Sequence, residues 1–279
     1  MTHKLGSKYN ILGVDIDILT RELFLKQIKE KIIANHKVVV FTPYSEFIYS
    51  ANTDEAFRLV LNSSDINIAD GVFMQIASIY LESPKKSNIK IINFFKILTI
   101  IIKMILRKVD RAIVFPELLS GSNEIRSICA MAEKQNFSIY MIGGIQNVVY
   151  RAAQELKKEF PQLNIVGTQQ GQAFSPDDKK LLLDIKDKRP NILVVCYGSQ
   201  KQEKWINEYR NELNANLIIG MGGTFDYLSG KKKLQSKWWS DRGLNWLHRL
   251  ISEPTRWKRQ SVIFKLLWIL AGVKKESIL

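Results

Sequence analysis

An α/β fold, with a mostly parallel sheet covered by helices on both faces, is the architecture this sequence predicts, and three observations predict it. Four short apolar runs, KVVVFTP, FSIYMIGG, NILVVCYG and NLIIGMGG, are rich in β-branched residues. They are apolar throughout rather than alternating, as strands buried on both faces are. Between them lie stretches of about 10–15 residues with helical spacing of apolar positions, which is the rhythm of strand, crossover helix, strand.

The elements follow in order. Residues 9–14 read as a short strand. Thr20 is placed to cap the helix RELFLKQIKEKIIAN, with Glu22 in its first turn. KVVVFTP is a buried strand ending at Pro43. Residues 45–62 carry one helical pattern, with Phe47, Ile48, Ala51, Phe57, Val60 and Leu61 as its apolar face. DINIADG is a short strand ending in Asp70-Gly71, and VFMQIASIYL opens a further helix. SNEIRSICAMAEKQN is a helix, FSIYMIGG a strand, and NVVYRAAQELKKEFPQ an amphipathic helix stopped near Pro161. LNIVGTQQG is a strand and loop. SPDDKKLLLDIKDKRP is a helix with Ser175 as its cap and Pro176 in its first position. NILVVCYG leads into the helix KQEKWINEYRNEL. NLIIGMGGTFDYLSG is the last strand, with a glycine-rich loop.

Residues 88–107, NIKIINFFKILTIIIKMILR, stand apart. Asn93, Lys96, Thr99, Lys103 and Arg107 recur at three and four, forming one polar stripe on a helix whose other faces are almost wholly Ile, Leu, Phe and Met. The pattern suits a core or oligomer-interface helix. It also suits a helix lying in a membrane interface; its lysines oppose a full span.

A second unusual stretch closes the chain. Residues 230–275 hold twelve Lys/Arg against two acids, Asp241 and Glu253, and five of the six Trp residues. This excess supplies most of the net charge of +14. Cations interleaved with Trp suit anionic headgroups, and nucleic acid would also satisfy the charge. The composition changes near Gly230, so we divide the chain into a catalytic domain, 1–229 (with the apolar helical segment at about 85–110), and a basic aromatic appendage, 230–279.

Composition narrows the function further. With 279 residues and 46% hydrophobic content the chain can bury a sizeable core. Cys129 and Cys196 lie in apolar runs and read as reduced core thiols. His3, His36 and His248 are scattered, and neither HExxH nor CxxC occurs, so no zinc site is expected. The first 20 residues lack a long apolar signal core, so export is not expected. GxGxxG and GxxxxGK[ST] are absent, which removes a dinucleotide dehydrogenase and a P-loop enzyme from consideration.

Ligands of open parallel sheets bind at the carboxyl ends of the strands. Those ends are Thr42, Asp70, Gly143-Gly144, Gly198-Ser199 and Gly222-Gly223-Thr224. Any one Gly pair is explained by a tight turn, but recurrence after three strands also suits a phosphate-bearing ligand. Asp70 reads as a turn carboxylate or as a general base at the sheet edge. Gln202, Glu203 and Asp226 read either as helix-start residues or as ligand contacts. Asp15 and Asp17 form an Asp-x-Asp pair, for which a turn role is the default and a metal role the alternative.

Taken together, GSQKQEKWI (198–206), GMGGTFDYLSGK (220–231), GLNWLHRLISEP (243–254) and IADG (68–71) resemble the WecG/TagA/CpsF family of bacterial glycosyltransferases (glycosyltransferase family 26). ILGVDIDILT and FPQLNIVGTQQG fit as well, and the likeness extends over nearly all of the chain outside about 83–115. The resemblance implies a Rossmann-like domain and inverting, metal-independent transfer without a cofactor. The donor would be a UDP-sugar, typically of N-acetylmannosamine, and the acceptor a polyprenyl-diphosphate-linked sugar. It implies work at the cytoplasmic face of the bacterial membrane, in making teichoic acid, capsule or exopolysaccharide, with the appendage as lid and membrane contact. Asp70 then corresponds to the general base, Thr42 and Tyr44 to the donor pocket, and Gln202 to a sugar or acceptor contact. Arg249 and Arg256 would neutralise the departing diphosphate. The chain departs from the family pattern at Tyr44 (usually Asn), Asn123 (Asp), Gln200 (Pro), Leu234 (Arg) and Asn245 (an acid). Two rivals remain: an inactive UDP-sugar-binding scaffold, and a nucleic-acid-binding α/β protein. The strand-end loops, mostly Gly, Thr, Gln and Asp, oppose the latter.

Overall fold

The computed structural model describes residues 3–84, 86–110, 112–232, 239 and 257–273, the side chains of 257–260 excepted. The centre is a six-stranded, all-parallel sheet. Its strands are β3 (Val38–Phe41), β4 (Ile66–Asn67), β5 (Ile139–Gly143), β6 (Ile165–Gln169), β7 (Ile192–Cys196) and β8 (Leu217–Gly220). They lie in the order β4-β3-β8-β7-β5-β6. β3, β5, β7 and β8 are buried throughout. Alternate residues serve opposite faces: Val39, Ile142, Val195 and Ile218 enter one apolar cluster, Val38, Met141, Val194 and Ile219 the other.

Helices α1 (Arg21–Ile33), α6 (Gly121–Gln135), α7 (Val148–Glu159) and α10 (Thr224–Leu228) cover one face. The other is covered by α2 (Ser45–Thr53), α3 (Glu55–Asn62), α4 (Val72–Glu82), α5 (Lys90–Ile105), α8 (Asp178–Lys188) and α9 (Lys201–Tyr209). The last described helix, α11 (Trp257–Ala271), joins this second face by burying Leu266, Leu267 and Leu270. Parallel strands with helices on both faces are what the uninterrupted apolar runs required.

Four local expectations are corrected. Residues 9–14 are not one strand. The chain folds back at Leu12-Gly13 (φ 51° and 87°), pairing β1 (Lys8–Ile11) antiparallel with β2 (Val14–Asp17). The pattern over 45–62 is two helices, because Asp54 leaves the helical conformation and its carboxylate accepts from Phe57 N at 3.0 Å, capping α3. α8 begins at Asp178 rather than after Ser175, whose hydroxyl accepts from Asp177 N within the preceding turn. On α5 the polar stripe does not stay together: Thr99, Lys103 and Arg107 are exposed but Asn93 is not. Asn93 is buried and bonds Ser87 and the Ala271 carbonyl at the end of α11, whereas Ile91, Ile92, Phe95 and Ile102 are exposed.

Candidate active site at the sheet's carboxyl edge

The chain leaves β5 towards β6 at the sheet edge, but leaves β7 in the opposite direction, towards β8. α7 and α9 consequently pack on opposite faces, and the ends of β5 and β7 part to leave a crevice, the usual ligand position in open α/β sheets. A cavity of about 300 Å³ lies there, lined by Gly144, Gly198, Gly222 and Gly223, by Tyr197, and by the charged residues Lys201, Asp226 and Lys231.

Local sequence explains this shape. Gly143 has φ 118°, and a Cβ there would stand 2.3 Å from the Cys196 carbonyl oxygen. Only glycine lets the two strands meet before they diverge. Gly198, at φ 87°, turns the chain from β7 into α9. Gln200 follows with φ 64°, a conformation closed to the proline usual in the family pattern, and its amide donates to Ser50 Oγ at 2.8 Å. The amino ends of α7 and α9 open onto this edge, and Lys201 and Lys231 add two cations. Backbone N–H groups, helix dipoles and ammonium groups together suit a diphosphate. Lys231 Nζ reaches Gln146 Oε1 at 3.5 Å, while Asp226 is engaged by Lys232 at 3.0 Å. Sequence reasoning missed Lys201 and Lys231; the signal was their position close after Gly198 and Gly230.

The other residues singled out from sequence fall into three groups. Gly144, Gly198, Gly223 and Asp226 line the cavity. Gln202, Glu203 and Thr224 lie behind it and are buried. Gln202 Oε1 accepts from Gly222 N at 2.9 Å, its Nε2 donates to Glu203 Oε1 at 2.6 Å, and Thr224 Oγ1 donates to the Met221 carbonyl at 2.7 Å. These three therefore hold the β8 loop in place. Burial pushes the Glu203 carboxyl up to about 8, and its Oε2 has no hydrogen-bond partner among the described residues. Burial likewise raises the Cys196 thiol, which keeps it a thiol rather than a nucleophilic thiolate.

The third group sits further along the same edge. Thr42, buried after β3, donates to the Gly220 carbonyl at 3.3 Å. Tyr44 stacks near Phe47, and its hydroxyl donates to Glu46 at 2.8 Å. Asp70 follows β4, with its backbone N–H on the Pro43 carbonyl at 3.1 Å, and Gly71 at φ 86° opens α4. β4 and β7 are three strand spacings apart, so Asp70 leaves the sheet roughly 14 Å from the Gly198 turn. A ligand touching both would have to be extended. Asp15 and Asp17 belong elsewhere: Asp17 Oδ2 accepts from Asn67 N at 2.8 Å, tying the hairpin to β4, and Asp15 accepts from Asn10 at 2.7 Å. Arg249 and Arg256 lie outside the described residues.

A glycine-lined crevice with two lysines thus shares one sheet edge with a distant carboxylate. Residues 9–100 and 97–277 match the Glycosyl transferase WecG/TagA/CpsF family. The chain belongs to this family. It is accordingly a glycosyltransferase of cell-surface glycan synthesis, and its partners are a sugar donor and an acceptor. The two matched stretches overlap at 97–100, inside α5. No helix among the described residues is long and apolar enough to cross a membrane.

Proposed function

We propose that this transferase moves a hexose, N-acetylmannosamine or a related sugar, from a UDP-sugar to a polyprenyl-diphosphate-linked acceptor, with inversion. The glycine-lined crevice between β5 and β7, bearing Lys201 and Lys231, carries the reading, because it offers fixed positive groups to a diphosphate. The sugar would extend along the strand ends towards Thr42 and Asp70. In the reaction the acceptor oxygen attacks the anomeric carbon while its proton passes to the Asp70 carboxylate. The bond from that carbon to the UDP oxygen breaks, and the electron pair leaves with UDP. Arg249 and Arg256 would stabilise the departing charge, a task normally strongest where water is excluded. Residues 230–279 would act as lid and anchor of the catalytic domain, 1–229, at the cytoplasmic face of the membrane. The docking of α11 on α2 and α5 supports this by holding the distal end of the segment that carries both arginines.

The test is a panel of UDP-sugars offered with a polyprenyl-diphosphate-GlcNAc analogue, with the product linkage determined. One donor should give an inverted glycoside, and a metal chelator should leave the rate unchanged. UDP binding without transfer from any donor would favour the scaffold reading instead. Strong chelator inhibition would remove metal independence from the proposal.

A further inference from the structure

The exposed side of α5 is the wrong chemistry for a solvated helix. At 100° per residue, Ile91, Ile102, Phe95, Leu106 and Ile92 fall within one arc of about 100°. Phe95 is 61% and Ile102 56% exposed. Helix α11 packs beside this arc, about 60° round the helix from Ile91: Phe94 meets the Trp268 ring edge-on at 5.7 Å, Lys90 Nζ lies 4.7 Å from the same ring, and Phe264, 49% exposed, is one turn before Trp268. Asn93, bonded to the Ala271 carbonyl at 3.1 Å, locks the two helices together beneath this surface. They form one apolar platform rather than two frayed segments.

Its charge identifies the occupant. Residues 83–109 contain seven Lys/Arg and no acid, and 256–275 are likewise free of acids. Lys103 and Arg107 flank the apolar arc and are exposed. A second copy of this chain would oppose one cationic face to another, which is unfavourable. An apolar strip bordered by cations instead matches a bilayer surface, with acyl chains for the Ile and Phe side chains and anionic headgroups for the lysines. We infer that the exposed faces of α5 and α11 together dock on an anionic lipid bilayer. Helix α5, part of the catalytic domain, thereby becomes a membrane contact additional to the basic tail. The inference rests on the lipid-linked acceptor only for its purpose; vesicle binding is read independently of transfer.

The experiment is flotation of the full chain with phosphatidylglycerol–phosphatidylcholine vesicles against phosphatidylcholine alone. The triple variant Ile91→Gln/Phe95→Gln/Ile102→Gln leaves the tail intact and changes only exposed side chains of α5. Its affinity for the anionic vesicles should fall roughly tenfold or more, at an unchanged melting temperature. Lys103→Glu/Arg107→Glu, which leaves every apolar residue in place, should weaken binding to anionic vesicles and not to neutral ones. Unchanged binding in both variants overturns the inference. So does a wild-type dimer, seen by sedimentation, that the triple variant dissolves. Transfer to a short-chain soluble acceptor is measured alongside. Kept transfer with lost vesicle binding supports the platform, and lost vesicle binding in a protein without transfer supports it while removing the transferase assignment of donor and acceptor.

Discussion

Gly143 is the residue on which the crevice depends most directly, since a β-carbon there meets the backbone of the neighbouring strand. Gly143→Ala combines a left-handed backbone with a fixed clash and should cost roughly 2–4 kcal/mol, read from the denaturant midpoint. Glu203 makes a different prediction. Its carboxyl is held up near 8 against an ordinary value of 4.5. Between those values the folded state binds the proton that the unfolded state has released, so stability falls as pH rises from about 4.5 to about 8 and levels off above. Glu203→Gln should flatten that slope in melting temperature while keeping the Gln202 contact. An unchanged slope would show that Glu203 is ionised in the fold. The glycine pairs were legible in the sequence because turns after strands leave few alternatives. Gln202 and Glu203 were not, since a polar pair at a helix start looks the same whether it faces ligand or is enclosed behind a loop.

At the scale of elements, the buried strands and most helices were legible because continuous β-branched runs have no competing arrangement in a chain of this length. What failed was local. The β1–β2 turn is Leu12-Gly13, without the Asn-Gly signal of a tight hairpin, and the break between α2 and α3 rests on one capping carboxylate, Asp54. Periodicity placed Asn93 with the polar residues, but tertiary packing buried it because α11 supplies a carbonyl to its amide. The same packing explains the end of the chain, whose charge drew attention while its leucines did the anchoring. Leu270→Ala should destabilise the fold by about 3 kcal/mol, with the denaturant slope unchanged, because Leu270 is fully enclosed. A loss below about 1 kcal/mol would mean that α11 is only loosely held.

For the molecule as a whole, one sheet edge carries a gradient of chemistry. Cations and glycines stand at the β5–β7 crevice, and the Asp70 carboxylate stands at the β4 end. A donor lying along that edge would place its diphosphate at the first and its sugar at the second. Arg249 and Arg256, proposed above for the lid, lie outside the described residues, so the central claim is tested best at Asp70. The measurement is transfer rate beside UDP affinity in Asp70→Asn, a substitution that keeps size and removes the basic oxygen. The account predicts a rate lowered by about 10²-fold or more with UDP affinity nearly intact, as for a base used only in the chemical step. Transfer at the wild-type rate, or equal losses of rate and affinity, would contradict it.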